Sequence, residues 1–175
     1  MNSAWVTAGI LKAGGKIRNE ALVAEGLPSL NEAMRAAQID NPRRIAAFIA
    51  TIAVESMFEY NISQIGATST YRGRGYIQLT GSANYAEASL DLGVDLSNHP
   101  ELAQSLEWSA KIATWYWTQA RPSTNKYADA LRMGMVNKMI GFPTGPADQV
   151  RCNMFAQALK ILTGSIPDGI TCTRS

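Results

Sequence analysis

Apolar residues recur at three- and four-residue spacing along most of the chain. Clusters of Gly, Pro, Asn and Asp interrupt them, which is the pattern of helices joined by turns. A first helix is predicted over about residues 4–13, stopping at Gly14-Gly15. Past Pro28, Ser29-Leu30-Asn31-Glu32 has the form of a capping box, and the helix it opens carries Leu30, Ala33, Met34 and Ala37 on one face. Asn41 and Pro42 then supply an N-cap and a first-turn proline for a central helix. Its Ile45, Phe48, Ile49 and Ile52 form a buried face, and Glu55 continues that face. A carboxyl there must be paired, neutral, or at the edge of a cleft.

Further helices are predicted over about 84–92, 102–119, 126–140 and 147–162, with a loop over 94–100. Trp108, Trp115 and Trp117 crowd one of them, more aromatic surface than one helix is expected to bury. One stretch departs from helical spacing: Tyr71-Arg72-Gly73-Arg74-Gly75-Tyr76-Ile77-Gln78-Leu79-Thr80-Gly81. Its glycines and short apolar run read as a turn entering a strand, with Gln78 and Thr80 alternating on one side and a second turn at Gly81. The expected fold is mostly α, with a small β-hairpin flanking a cleft and Glu55 on the cleft floor. It forms one domain over residues 1–165, followed by a loose tail over 166–175.

Composition narrows the classes. At 175 residues, 46% hydrophobic and 17% charged, the chain can bury a core without staples. A net charge of +2 with scattered Lys and Arg gives no nucleic-acid stripe. Residues 1–13 lack the basic start of a signal peptide, and no apolar run approaches a membrane span, so synthesis in a cytoplasm is expected. Cys152 and Cys172 have no histidine near them, which argues against zinc. They read as two unrelated thiols or, alternatively, as a disulfide tying down the tail. His99, the only histidine, precedes Pro100 in a loop without an evident acid or cysteine partner. A histidine triad or zinc amidase is therefore disfavoured, and no metal or cofactor is expected.

The candidate chemistry centres on Glu55 and residues 71–81. A carboxylic acid with a raised pKa beside a wall of polar groups suits glycan cleavage, in which an acid protonates a leaving oxygen. The plainer reading is a helix-terminal glutamate paired with Arg72, Arg74 or a backbone amide. Those two arginines are themselves expected to lock the hairpin to neighbouring carbonyls and Glu55.

Ala53-Val54-Glu55-Ser56, followed by residues 71–81 and Ser82-Ala83-Asn84-Tyr85, resembles the glycoside hydrolase family 19 chitinases. It is similar above all to phage endolysins of that fold, in particular the central domain of mycobacteriophage lysin A proteins. Weaker similarity extends from about Leu27 to Leu162 through the 95–100 loop, the Trp-rich helix and Val136-Asn137. The resemblance implies a lysozyme-like helical domain cut from a multidomain lysin. It implies an inverting hydrolase of β-1,4 bonds in peptidoglycan, acting as a monomer on glycan strands without membrane insertion. Such an enzyme is made in a host cytoplasm and reaches the wall through a separate membrane-permeabilising protein.

In that resemblance Glu55 matches the general acid. Thr80, Gln78 and Asn84 match positions that orient water and bind sugar, Tyr76 lies on the same substrate-binding segment, and Asn137 matches a distal substrate-binding asparagine. Three departures stand out. Val54 replaces a usual histidine, and Met57 and Phe58 replace small residues, which puts the turn after Glu55 in question. The endolysin branch also has a second glutamate nine residues after the first, where this chain has Gln64. Gln64 is either a natural change that leaves water activation to another group, or a Glu→Gln substitution that keeps the shape and removes the base. The intact motif favours the latter. Glu59, the nearest surviving carboxylate, reads as solvated at a turn. The alternatives are a single-acid lytic transglycosylase, which yields 1,6-anhydro products, a chitinase, and a wall-binding module without turnover.

Overall fold

A computed structural model describes residues 1–141 and 144–175. Among them are eight α-helices: α1 (Ser3–Lys12), α2 (Glu20–Ala36), α3 (Pro42–Ser56), α4 (Ser82–Leu92), α5 (Ser109–Trp115), α6 (Thr124–Asp129), α7 (Met133–Ile140) and α8 (Pro146–Thr163). A 3-10 turn over Pro100–Gln104 precedes α5, and α5 runs on into a π turn over Tyr116–Ala120. The mostly helical expectation holds.

The centre of the molecule is α3. Asn41 caps it through Oδ1, which accepts from the Arg44 amide at 2.9 Å, and Pro42 opens its first turn. The expected apolar stripe is exceeded, because Ala46, Ala47, Ala50 and Ala53 fill the remaining faces and every residue from 46 to 53 is buried. These small side chains let α8, α1, α6 and α7 pack closely around one rod. Glu55 ends the rod, so its position follows from the packing of the entire core.

Several local expectations need correction. The helix predicted after Pro28 begins much earlier: α2 is capped by Asn19, whose Oδ1 accepts from Leu22 N at 3.0 Å, and it runs through Pro28. Pro28 and Ala24 both face solvent, so water can satisfy the Ala24 carbonyl that the proline leaves without a donor. Ser29 is therefore a mid-helix residue and caps nothing. The helix predicted over 102–119 breaks at Ser105, whose Oγ accepts from the Trp108 amide at 3.2 Å. The one predicted over 126–140 breaks at Leu131, which adopts φ 60° and separates α6 from α7.

Two of the three clustered tryptophans are better buried than expected, while Trp108, just ahead of α5, is only partly buried. Trp115 and Trp117 are 2% and 0% exposed, because α5 and the π turn lie inside the helical shell. Their indole N–H groups find acceptors, Trp115 on Asp91 Oδ2 and Trp117 on Asn125 Oδ1, each at 2.8 Å. Trp117 also meets Phe48 of α3 edge to face.

The expected hairpin contracts to isolated antiparallel bridges, Ser63 with Arg74 and Arg74 with Leu79. Gln78 at φ 56° breaks the extended run, so a turn rather than strand alternation presents Gln78 and Thr80. The segment after α8 is not loose. A disulfide joins Cys152 to Cys172, Thr171 bridges Arg132 in parallel, and Arg174 grips Asp148 through two hydrogen bonds.

Candidate functional site

Two consecutive left-handed residues, Met57 at φ 48° and Phe58 at φ 60°, stop α3 immediately after Ser56. Bulky residues are costly there, and burial offsets the cost: Phe58 is 1% exposed and its ring packs against Gly9 of α1. Glu59 follows, and it is not a solvated turn residue. It is 7% exposed and takes two hydrogen bonds from Arg18, at 3.2 and 2.8 Å. That pairing occupies both oxygens of its carboxylate.

Residues 62–81 fold back on themselves through neutral hydrogen bonds. Gly75 N donates to Ile62 O at 2.9 Å, and Gly81 N to Tyr71 O at 2.8 Å. Gln64 pairs doubly with Gly73: its amide donates to the Gly73 carbonyl at 2.8 Å, and its Oε1 accepts from the Gly73 amide at 3.1 Å. Gln78 Nε2 donates to Ile62 O and Gly75 O at 3.2 and 3.0 Å. Thr80 Oγ1 donates to Gln78 O at 2.7 Å, and Asn84 Nδ2 to Thr80 O at 2.9 Å.

Two glycines make this folding possible. A Cβ on Gly73 would stand 2.8 Å from Gln78 Oε1. Gly75, at φ 76°, lies against the Ala103 carbonyl and leaves no room for a side chain. Arg74 is buried and donates to Thr70 O and Tyr85 OH at 2.8 and 2.9 Å, while Arg72 reaches Ser69 O at 3.4 Å. Both therefore lock the loop as expected, but their hydrogen bonds go to the loop and to α4 rather than to Glu55.

The loop forms one wall of a cleft of about 470 Å³, lined by Gln64, Gln78, Thr80 and Asn84. Tyr116, Ile140 and Gly141 line the opposite side. The structure thus brings together four of the residues singled out from the sequence. It places Tyr76 and Asn137 elsewhere. Tyr76 is 1% exposed, faces Gly26 of α2, and burial pushes its hydroxyl pKa well up. Asn137 is also 1% exposed, with Nδ2 donating to the Asp148 carbonyl at 3.5 Å. Asn137 supports the α7–α8 contact, and α7 lends the cleft Ile140 and, at its C-cap, Gly141. His99 is exposed but does have an acidic neighbour, Glu101, at 3.5 Å.

Glu55 stands where α3 meets α8. Its Oε1 accepts from Arg151 Nη2 at 2.6 Å, with side-chain exposures of 14% for Glu55 and 3% for Arg151. The ion pair expected with Arg72 or Arg74 is made instead by a residue 96 positions away. Burial raises the Glu55 pKa, and the Arg151 charge and hydrogen bond only partly oppose that rise. Arg151 in turn faces Asp148, at 3.7 Å, and Arg174 closes the series by gripping Asp148. Sequence reading missed this cationic support, since neither residue belongs to a local motif.

Residues 54–136 match the family model of glycoside hydrolase family 19, chitinase class I. Curated relatives include an endochitinase of Arabidopsis thaliana, 33% identical over 125 residues, covering 61% of this chain and 46% of that protein. An oat endochitinase is 36% identical over 83 residues, covering 43% of this chain and 40% of its own length. This chain therefore spans less than half of either relative. Among solved structures, chitinase C from Streptomyces griseus superposes with TM-score 0.74 at 23% identity, covering 98% of this chain and 79% of that one. A bacterial family 19 chitinase gives TM-score 0.75 at 19% identity, with 98% of both chains covered. The local match over residues 54–136 and the shared fold agree: this chain is similar to glycoside hydrolase family 19, chitinase class I, in its central stretch and in its fold.

Proposed function

We propose that this domain hydrolyses β-1,4 glycosidic bonds in a polymer containing N-acetylglucosamine, with Glu55 as the general acid. The observation that carries the reading is the state of Glu55, whose burial raises its pKa while Arg151 waits at 2.6 Å. A group that must hold a proton and then release it to a leaving oxygen needs both influences. Burial keeps the acid protonated before the reaction, and the guanidinium stabilises the carboxylate afterwards. Thr80, Asn84 and the exposed side of Gln78 supply the polar wall for sugar and water.

Position 64 is the proposed site of the second carboxyl group. Gln64 faces the cleft and is fixed by Gly73, so a glutamate there can accept the same amide hydrogen bond and turn its other oxygen to water. In an inverting enzyme the two carboxyl groups stand about 6.5–9.5 Å apart to admit that water. With Gln64 the chain binds glycan but lacks a base at this position.

Within this reading the substrate is bacterial peptidoglycan, cut in the manner of a muramidase by a phage endolysin. The resemblance of the 55–64 spacing and the 71–85 motif to lysins supports that choice. Such a lysin works on the wall after leaving its host's cytoplasm through a separate membrane-permeabilising protein. Chitin is the second reading, favoured by the endochitinase names of the relatives. The deciding experiment digests purified peptidoglycan and chitin oligosaccharides with the Gln64→Glu chain and reads fragments by mass spectrometry. Fragments ending in reducing muramic acid support the lysin. Cleavage of chitin alone gives the second reading, 1,6-anhydro ends indicate a transglycosylase, and binding without any product leaves a wall-binding module.

A further inference from the structure

A series of alternating charges runs from the segment after α8 back to Glu55. Thr171 N donates to Leu131 O at 3.0 Å and Thr171 O accepts from Gly134 N at 3.1 Å, while the next residue, Cys172, is bonded to Cys152 of α8. The clamped backbone delivers Arg174 to Asp148, with Nε at 2.7 Å from Oδ2 and Nη2 at 2.9 Å from Oδ1. Asp148 Oδ1 is 3.7 Å from Arg151 Nη1, and Arg151 Nη2 holds Glu55 Oε1 at 2.6 Å. Side-chain exposures along the series are 19, 10, 3 and 14%, so water screens these charges poorly.

We propose that Arg174, delivered by the disulfide-clamped segment, is a positioning residue for Glu55: by neutralising Asp148 it keeps Arg151 committed to the Glu55 carboxyl. The idea deepens the reading of Glu55 as the acid and rests on it. Asp148 has two cationic neighbours, one gripping it through two hydrogen bonds and one at the edge of contact. Without Arg174, Asp148 draws Arg151 inward, and its own negative charge is felt at Glu55. Both changes disfavour the Glu55 carboxylate, so both act in the same direction. Arg151 is the charged group that acts on Glu55 among the described residues. On α7, the uncharged Asn137 donates to the Asp148 backbone carbonyl.

The test reads the Glu55 carboxyl directly, by carbon-13 NMR titration of the free full chain, with Glu55→Gln identifying the resonance. No glycan is present, so a Gln64→Glu chain without turnover overturns the proposed function without affecting this measurement. Arg174→Gln is expected to raise the Glu55 pKa by roughly half a unit or more. Arg174→Lys, which keeps the charge but loses the fork, should give a smaller rise. Cys172→Ser should raise it as well by loosening the clamp, and should add nothing in the Arg174→Gln background. An unmoved Glu55 titration in Arg174→Gln overturns the proposal. So does a Cys172→Ser shift that adds fully to that of Arg174→Gln, or a Cys172→Ser chain that melts earlier while Glu55 titrates as before.

Discussion

The polar side chains that line the cleft and the Glu55 carboxyl, which is not among the lining residues, are held by opposite means. Gln64, Gln78, Thr80 and Asn84 are fixed by short-range neutral hydrogen bonds, most of them to backbone groups a few residues away. Glu55 is held by Arg151, which in turn faces Asp148, and Asp148 is gripped by Arg174. Neutral bonds of the first kind set a shape that pH and salt barely alter. Buried charges of the second kind set a protonation state and respond to any change in their partners. The loop therefore supplies geometry, and the helices supply electrostatics.

The sharpest way to test this division is through turnover. In the Gln64→Glu chain, hydrolysis should rise by about 10²–10⁴ over the present chain, the usual contribution of a general base. Adding Glu55→Gln should remove it again. Reducing-end assays on peptidoglycan and chitin oligosaccharides check both steps. Equal activity with Gln or Glu at position 64 would show that the loop provides shape but no base, and would favour a single-acid mechanism.

Stability separates the two sides in a different way. Gly75→Ala places a methyl group against the Ala103 carbonyl at φ 76°, and nothing nearby is flexible enough to yield. A loss of roughly 2–4 kcal/mol is expected in denaturant unfolding, with the cleft wall disturbed. Cys172→Ser opens a link between positions 20 residues apart, for which chain entropy gives a comparable loss of roughly 3 kcal/mol. Because the loop side carries no part of the charge series, Gly75→Ala should leave the Glu55 titration in place while Cys172→Ser moves it. Identical effects of the two variants on Glu55 would break the comparison.

The same contrast explains what the sequence made legible. The helical class and the N-terminal signals at Asn41 and Pro42 were readable because each depends on neighbours in the chain, whereas the cleft residues at 64, 78, 80 and 84 were singled out chiefly through the family resemblance of their segment. The continuation of α2 through Pro28 was hidden because it depends on which face of the helix meets water. The break at Leu131 carries no glycine or proline signal. It is set where Thr171 takes up the backbone groups of Leu131 and Gly134. Glu59 looked solvated because Arg18, its partner, lies 41 residues earlier, and Glu55 was assigned the arginines nearest in sequence rather than Arg151. Motif reading finds side chains that share a loop and misses charges that meet only after packing.

The smallest effect expected is on the pH dependence of stability, and its sign is specific. A carboxyl whose pKa is higher in the folded state than in the unfolded chain stabilises fully below its unfolded value, near 4.5. That contribution is lost as pH rises through the folded value, because the folded protein must then hold a charge it disfavours. Glu55 behaves in this way, since its burial outweighs Arg151. Asp129 behaves oppositely: the Arg44 hydrogen bond lowers its pKa, so its contribution is present above 3.8 and lost as pH falls through the depressed value. Thermal melts of the present chain and Glu55→Gln should therefore diverge upward from about pH 4.5, with the wild-type chain losing stability relative to the variant as Glu55 ionises. A constant difference across that range would mean that Arg151 fully compensates burial. Glu55 would then be a structural ion pair, and the electrostatic side of the site would have no proton to give.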